Sequence, residues 1–211
     1  MSTSSCASSS PSVGRRSATT EVPSETGRLN ALLEGLASDR PVPSGGSATA
    51  AVMAVAAALL EKASALSTKQ WVSAEVALEQ AHALRLRAEE LVEADAHAYM
   101  SFVEAMRTAK GLRGQARERA VGPARAATVE VPLAIARLGA ETVELAGELA
   151  AHGNPNLRAD AMVAATLAAA SATAAARLIA VNLGGSRRDP RLVEAQKAAR
   201  AASDMADSLG V

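Results

Sequence analysis

Three short segments hold the residues best suited to chemistry. Pro43-Ser44-Gly45-Gly46-Ser47 opens a stretch without charge. Free amides at a helix start, together with the helix dipole, attract a carboxylate or phosphate. Glycines there let a ligand or another backbone come close. The same residues also suit a plain tight turn capped by Ser47, and spacing alone leaves both readings open. The second segment centres on Asp95, which shares one helical stripe with Leu91, Ala98, Tyr99, Phe102 and Met106. A carboxylate on an apolar face costs several kcal/mol, on the order of 2–7, unless it is hydrogen-bonded or paired. Acid–base sites exploit such burial, whereas a structural carboxylate pairs with an arginine of a neighbouring helix. Either role fits Asp95. The third segment, Gly153 to Asp160, places Asn154 and Asn156 in a turn and Asp160 in the first turn of the next helix. Asp160 suits the helix dipole there, but its face continues into Val163, Ala164 and Leu167. Asn182 closes that helix, and Asp189 precedes Pro190 as an expected N-cap.

Helices must position these groups. About a quarter of the 211 residues are alanine, the strongest helix former, and the strand-building residues are sparse. The expected architecture is all-α, an antiparallel bundle of about six helices joined by short connections. The breaks at Asp39–Gly46, Ser67–Gln70, Gly111–Gly114, His152–Asn156 and Gly184–Ser186 set the helix boundaries. They give helices near 27–38, 47–66, 71–108, 115–151 and 157–183, with a last one opened by Asp189-Pro190. Pro123 and Pro132 should kink or break the fourth. Residues 1–25 are Ser, Thr and Pro with few large apolar side chains, and they read as a disordered tail preceding a helical domain over 26–211. Alanine cores gain little per side chain, so further burial through self-association, as a homodimer, is expected.

Several function classes are excluded at this level. Basic and acidic residues number 22 each, and only Trp71, Tyr99 and Phe102 are aromatic, which argues against nucleic acid as a partner. Cys6 is the single cysteine, so no internal disulfide or multi-thiolate metal site can form. His82, His97 and His152 share no metal-binding spacing, and no metal is expected. No secretion signal is apparent at the N-terminus, and a cytoplasmic location is expected. The charge-free runs Pro41–Leu60 and Ala161–Ala176 approach membrane-span length. They are mostly Ala, Gly, Ser and Thr, which fits close helix packing in a core and not a membrane partner. Arg177 follows the second run inside an alanine-rich helix and needs a partner.

The motifs, taken in order, resemble the cyclodeaminase/cyclohydrolase family of folate enzymes. The likeness covers about Leu29 to the C-terminus. Pro41-Val42-Pro43-Ser44-Gly45-Gly46-Ser47-Ala48 is similar to that family's P-x-P-G-G-G-S-A turn, and Asp95-Ala96-His97-Ala98-Tyr99 to its D-x-x-A-F. Ala127-Thr128-Val129-Glu130-Val131-Pro132-Leu133 is similar to A-T-x-V-P-L. Gly153-Asn154-Pro155-Asn156 followed by Asp160-Ala161-Met162-Val163-Ala164-Ala165 is similar to G-N-x-N-x-x-S-D-A-x-V-A-A, and Val181-Asn182-Leu183 with Asp189 to the I-N-L ending. The chain departs from the pattern at Ser44, which replaces a glycine, and at Ala159, which replaces a serine. It departs again at Lys62–Trp71, which is short of lysines, and at Leu178–Leu183, which keeps one asparagine of two.

The resemblance implies an all-helical homodimer acting on a tetrahydrofolate derivative as substrate, with no bound cofactor. The reaction would be methenyltetrahydrofolate cyclohydrolysis or formiminotetrahydrofolate cyclodeamination, both through a tetrahedral carbon flanked by nitrogens. By position, Asp95 and Asp160 would stabilise charge and move protons, and Ser47 and Asn182 would hold the pterin or water. Ser44, Gly45, Gly46, Asn154, Asp189 and Lys110 would complete the substrate site. The departures keep two other readings in play: an enzyme making or opening a cyclic C–N bond in a non-folate substrate, and a non-catalytic helical dimer.

Overall fold

A computed structural model describes residues 26–186 and 188–210. The tail expected at 1–25 lies outside them. Among the described residues there are six α-helices and no strand: α1 (Thr26–Leu36), α2 (Gly45–Ala65), α3 (Ala74–Thr108), α4 (Gly114–His152), α5 (Arg158–Asn182) and α6 (Pro190–Leu209). A 3-10 turn, Pro155–Leu157, sits between α4 and α5. The breaks read from glycine and proline hold to within a few residues. Gly111 and Gly114 adopt positive φ at the α3–α4 turn, as do Gly184 and Gly185 after α5.

Of the kink or break expected at Pro123 and Pro132, the break is corrected, because α4 runs through both. Proline at 132 has no N–H to give the carbonyl four residues back, that of Thr128. Asn182 supplies the missing donor, with Nδ2 bonded to that oxygen at 2.7 Å. At Pro123 the corresponding carbonyl belongs to exposed Arg119, where water can serve it.

Consecutive helices α2 to α6 run antiparallel, and α2, α4 and α5 meet in the centre. The core is largely alanine, with Met53, Leu60, Leu133, Ile135, Leu138 and Ile179 as its large fully buried members. Small residues let the backbones approach. A Cβ on Gly139 of α4 would lie 2.8 Å from Ala172 Cβ, 3.0 Å from the Ala168 carbonyl and 3.1 Å from Met53 Cε. The two helices that hold the charge-free runs, α2 and α5, are long and apolar enough to cross a membrane, yet they lie at the middle of this bundle. Their apolar windows are 44% and 50% buried in it. Surface ion pairs tie the layers together. Arg85 of α3 bonds Glu61 of α2 at 2.6 Å, Arg87 bonds Glu141 of α4, and Arg137 of α4 bonds Glu194 of α6. Not every expected apolar face is covered: Leu29 and Leu33 of α1 remain exposed.

Candidate functional site

The site grows from the start of α2. Gly45 is the first helical residue and Ser44 the N-cap, so the helix begins two residues before Ser47. Ser44 makes no capping bond within its own helix. The cap comes from α3. Asp95 Oδ2 accepts the Ser47 amide at 2.8 Å, the Ser47 hydroxyl at 2.9 Å and the Ser44 hydroxyl at 3.3 Å. A carboxylate at a helix N-terminus is favoured by both the free amide and the dipole. Gly46 makes the approach possible, because a Cβ there would fall on the Asp95 carboxylate. The arginine partner considered for Asp95 is not there: among the described residues, serine and backbone donors hold it, and no arginine pairs with it.

All three donors converge on Oδ2, leaving Oδ1 without a protein donor among the described residues. Asp95 lines a cleft of about 130 Å3 with Ser44, Gly46, Tyr99, Thr128, Pro132, Leu178 and Asn182. Four helices therefore contribute. The Asn182 amide nitrogen is committed to the Thr128 carbonyl, and a carbonyl partner fixes which amide atom faces it. The Asn182 side-chain oxygen keeps its acceptor capacity. The cleft thus offers a fixed carboxylate, a fixed amide and an exposed tyrosine, a set that suits a cationic or proton-donating ligand.

The sequence-derived candidates divide between this cleft and other places. Ser44, Gly46, Asp95 and Asn182 line it, and Gly45 sits at its edge, beside Leu178. Ser47, expected to touch the ligand, is fully buried and instead holds Asp95. Asp160 is not in the cleft: its Oδ2 lies 3.5 Å from Lys62 Nζ, near the opposite end of α2. Lys62 is 15 residues beyond Ser47, about 22 Å along the helix. Asn154 shares that far end. Its side chain donates to the Leu66 carbonyl at 3.1 Å and accepts the Asn156 amide, while its own amide donates to Ser67 Oγ at 2.8 Å. Nearby, Trp71 stacks on His152 with ring centroids 6.1 Å apart.

Asp189 is the N-cap of α6, as expected, and is bound up with Arg191, which reaches on to Glu130 of α4 at 3.1 Å. The Arg191 guanidinium holds the Asp189 carboxyl below its ordinary range. Lys110 follows α3 and is exposed, some 15 residues from Asp95. Among the described residues no group of His, Cys, Asp and Glu is placed to hold a metal ion. Tyr99, Thr128, Pro132 and Leu178 were not singled out as site residues, although Thr128 and Pro132 stand four apart in one motif. That spacing is itself a signal, since a proline at i frees the carbonyl at i−4.

The formiminotransferase-cyclodeaminase family profile matches residues 28–202. A methenyltetrahydrofolate cyclohydrolase of Methylorubrum extorquens is 32% identical over 165 residues, covering 74% of this chain and 79% of that protein. The crystal structure of formiminotetrahydrofolate cyclodeaminase from Thermotoga maritima has the same fold, with a TM-score of 0.69 at 19% identity, over 89% of this chain and 91% of that one.

Proposed function

The chain belongs to the formiminotransferase-cyclodeaminase family, and on that premise we propose that it is a methenyltetrahydrofolate cyclohydrolase. The observation that carries the reading is Asp95. Its Oδ2 is locked by three donors, Oδ1 has no protein donor among the described residues, and the side chain lines a cleft with Asn182 and Tyr99. In the proposed reaction, the methenyl carbon lies between two nitrogens and carries positive charge. A fixed carboxylate stabilises that charge and orients water toward the carbon. Water adds to the carbon, and one of its protons passes by way of Asp95 Oδ1 to the departing ring nitrogen. The C–N bond then opens to the 10-formyl product, and the second proton goes to solvent. Asn182 accepts a hydrogen bond from the water or the pterin.

The cyclodeaminase direction is the second reading, favoured by the fold shared with the Thermotoga protein. There the folate nitrogen attacks a formimino carbon and ammonia leaves, so the same carboxylate faces a similar tetrahedral carbon. The protein is further proposed to be a cytoplasmic homodimer that needs no bound cofactor. The deciding experiment follows the loss of methenyltetrahydrofolate absorbance with purified protein and with Asp95→Asn. Turnover that falls at least about 100-fold in the variant, with the helix content and a cooperative unfolding transition retained, supports the reading. Thermal stabilisation by a folate without turnover would make the protein a binder, and no response to any folate would move the activity to another C–N substrate.

A further inference from the structure

Arg177, which the sequence leaves in want of a partner, finds none in the fold. It is exposed on α5, and no carboxylate lies within 4 Å of it among the described residues. Arg200 of α6 is exposed and unpaired in the same way among those residues. The two share one place. The short connection 183–189 brings α6 back antiparallel against α5, and a groove of about 430 Å3 runs between them. Arg177 stands on one wall and Arg200 on the other, over a floor that includes the buried Ala176 and Ala199. Gln196 and Ser203 add hydrogen-bonding groups. Asp204, one turn beyond Arg200, also lines the groove, but it lies more than 4 Å from either guanidinium. An arginine stem lying over alanine accounts for either residue alone. It does not account for two like charges facing one groove without a counter-charge, which Coulomb repulsion disfavours.

We propose that this groove is a second binding site, in which Arg177 and Arg200 take the carboxylates of an organic dianion. Guanidinium groups hold carboxylates through paired, charge-assisted hydrogen bonds. The groove's volume falls within the roughly 300–1,000 Å3 of small-molecule pockets. Two sources share the required chemistry: the glutamate tail of a folate and a free dicarboxylate. Position favours the tail, and to that extent the inference rests on the substrate being a folate. The Asp95 cleft, at about 130 Å3, can seat the reacting end of a folate but not the whole molecule. The remainder, a benzoyl ring and a glutamate with two carboxylates, must lie on the surface nearby. The groove occupies the other flank of the same stretch of α5: Leu178 and Asn182 line the cleft, and Arg177 immediately precedes Leu178. Arg177 and Asn182 are separated by about 7.5 Å along the axis and about 140° around it, on the order of 15 Å over the side chains. Val181, 75% exposed, leaves that path open. A folate then straddles α5, with its charged carbon at Asp95 and its anionic end at the two arginines.

Two substrates and one probe test this on the purified full chain. Methenyltetrahydrofolate carries the glutamate, methenyltetrahydropteroate has the same reacting rings without it, and glutarate is a dicarboxylate alone. The wild type should prefer the glutamate-bearing substrate. Arg177→Ala and Arg200→Ala should each cut that preference in kcat/KM about tenfold, through KM. Arg177→Lys should recover part of it, because the charge remains while the two-pronged grip is lost. Calorimetry should find glutarate bound to the wild type and to neither alanine variant. Glutarate that competes with the folate, or a lost preference without glutarate binding, assigns the groove to the tail. Glutarate that binds without competing assigns it to a free dicarboxylate. An unchanged substrate preference in both alanine variants, together with no arginine-dependent binding of glutarate, overturns the site. Turnover of neither substrate sinks the cyclohydrolase reading and the tail with it. Glutarate binding then decides the groove by itself, and its absence overturns the site.

Discussion

Gly46→Ala separates helix propensity from site geometry. Alanine is the better helix former by up to about 1 kcal/mol, so propensity alone favours the variant. The structure predicts the reverse. The new Cβ would overlap the Asp95 carboxylate and leave Oδ2 only 2.8 Å away, and Asp95 is held from the other side by Ser44 and Ser47. The carboxylate must swing out and lose those donors. Two of the bonds are short and one is long, and hydrogen bonds to charged groups contribute about 1.5–3 kcal/mol each. Discounting for partial exposure and for the propensity gain leaves a net loss of about 2 kcal/mol, or roughly 4–8 °C in Tm for a chain of this size. Activity should suffer more, because displacing a catalytic group by about 1 Å can cost about 100-fold. The control is Gly45→Ala, whose Cβ would meet only Leu178 Cδ2 at 3.8 Å. It should keep the wild-type melting temperature to within a degree or two. Urea denaturation and the methenyl absorbance assay read both quantities. A Gly46→Ala protein as stable and as active as wild type would refute the claim that this glycine exists to seat Asp95.

Other outcomes follow from the same contacts. Asn182→Ala should destabilise by about 1–3 kcal/mol, the cost of leaving the Thr128 carbonyl unsatisfied. In a Pro132→Ala background, which returns a helical donor to that carbonyl, the cost should fall by half or more in a double-mutant cycle. Gly139→Ala should destabilise by about 1–3 kcal/mol through overpacking against Ala172 and Met53. Gly147→Ala, with only Leu209 at 3.9 Å, should be neutral or slightly stabilising in the same thermal melts. The Asp189 carboxyl is held below its usual value of 3.8 by Arg191, so its contribution is present above that pH and is lost as pH falls through the lower folded value. Asp189→Asn should therefore be less stable than wild type at neutral pH, and the gap measured by urea denaturation should narrow as pH drops below 3.8.

Much of the architecture was legible because the signals are local. Glycine or proline marks every turn but the one between α2 and α3, and the alanine-rich composition leaves helices as the available element. The continuity of α4 through its prolines was not legible, because a proline's effect was judged from its own chain segment. The donor that replaces its missing N–H comes from Asn182, 50 residues on. The site was half legible for a related reason. Asp95 stood out as a carboxylate on an apolar stripe, and helix periodicity is enough to reveal that. Ser47 was misplaced because a serine at a helix start reads as its own helix's cap. Here the cap arrives from α3, and Ser47 is a donor to it. Asp160 was grouped with Asp95 by a shared motif order, and sequence order carries no information about which ends of two antiparallel helices meet.

Small residues at one helix end set the geometry of the whole cleft. Because Gly46 has no side chain, Asp95 can cap α2 from outside. Because Asp95 caps α2, the first turn needs no bond from Ser44 to its own helix, and Ser44 turns toward the carboxylate. Because Pro132 leaves the Thr128 carbonyl open, Asn182 is drawn to α4, where it lines the cleft with Asp95. Both polar groups are therefore oriented by backbone atoms that a helix cannot satisfy by itself: a free amide at the start of α2 and a free carbonyl beside a proline. Backbone partners hold a side chain with less freedom than long charged ones do, and such preorganisation lets a carboxylate act on a developing charge without first paying to reorient. Lys62, with its flexible stem, holds Asp160 far more loosely. On this contrast Asp95 is the fixed carboxylate of the two, and Asp160 the loosely held one.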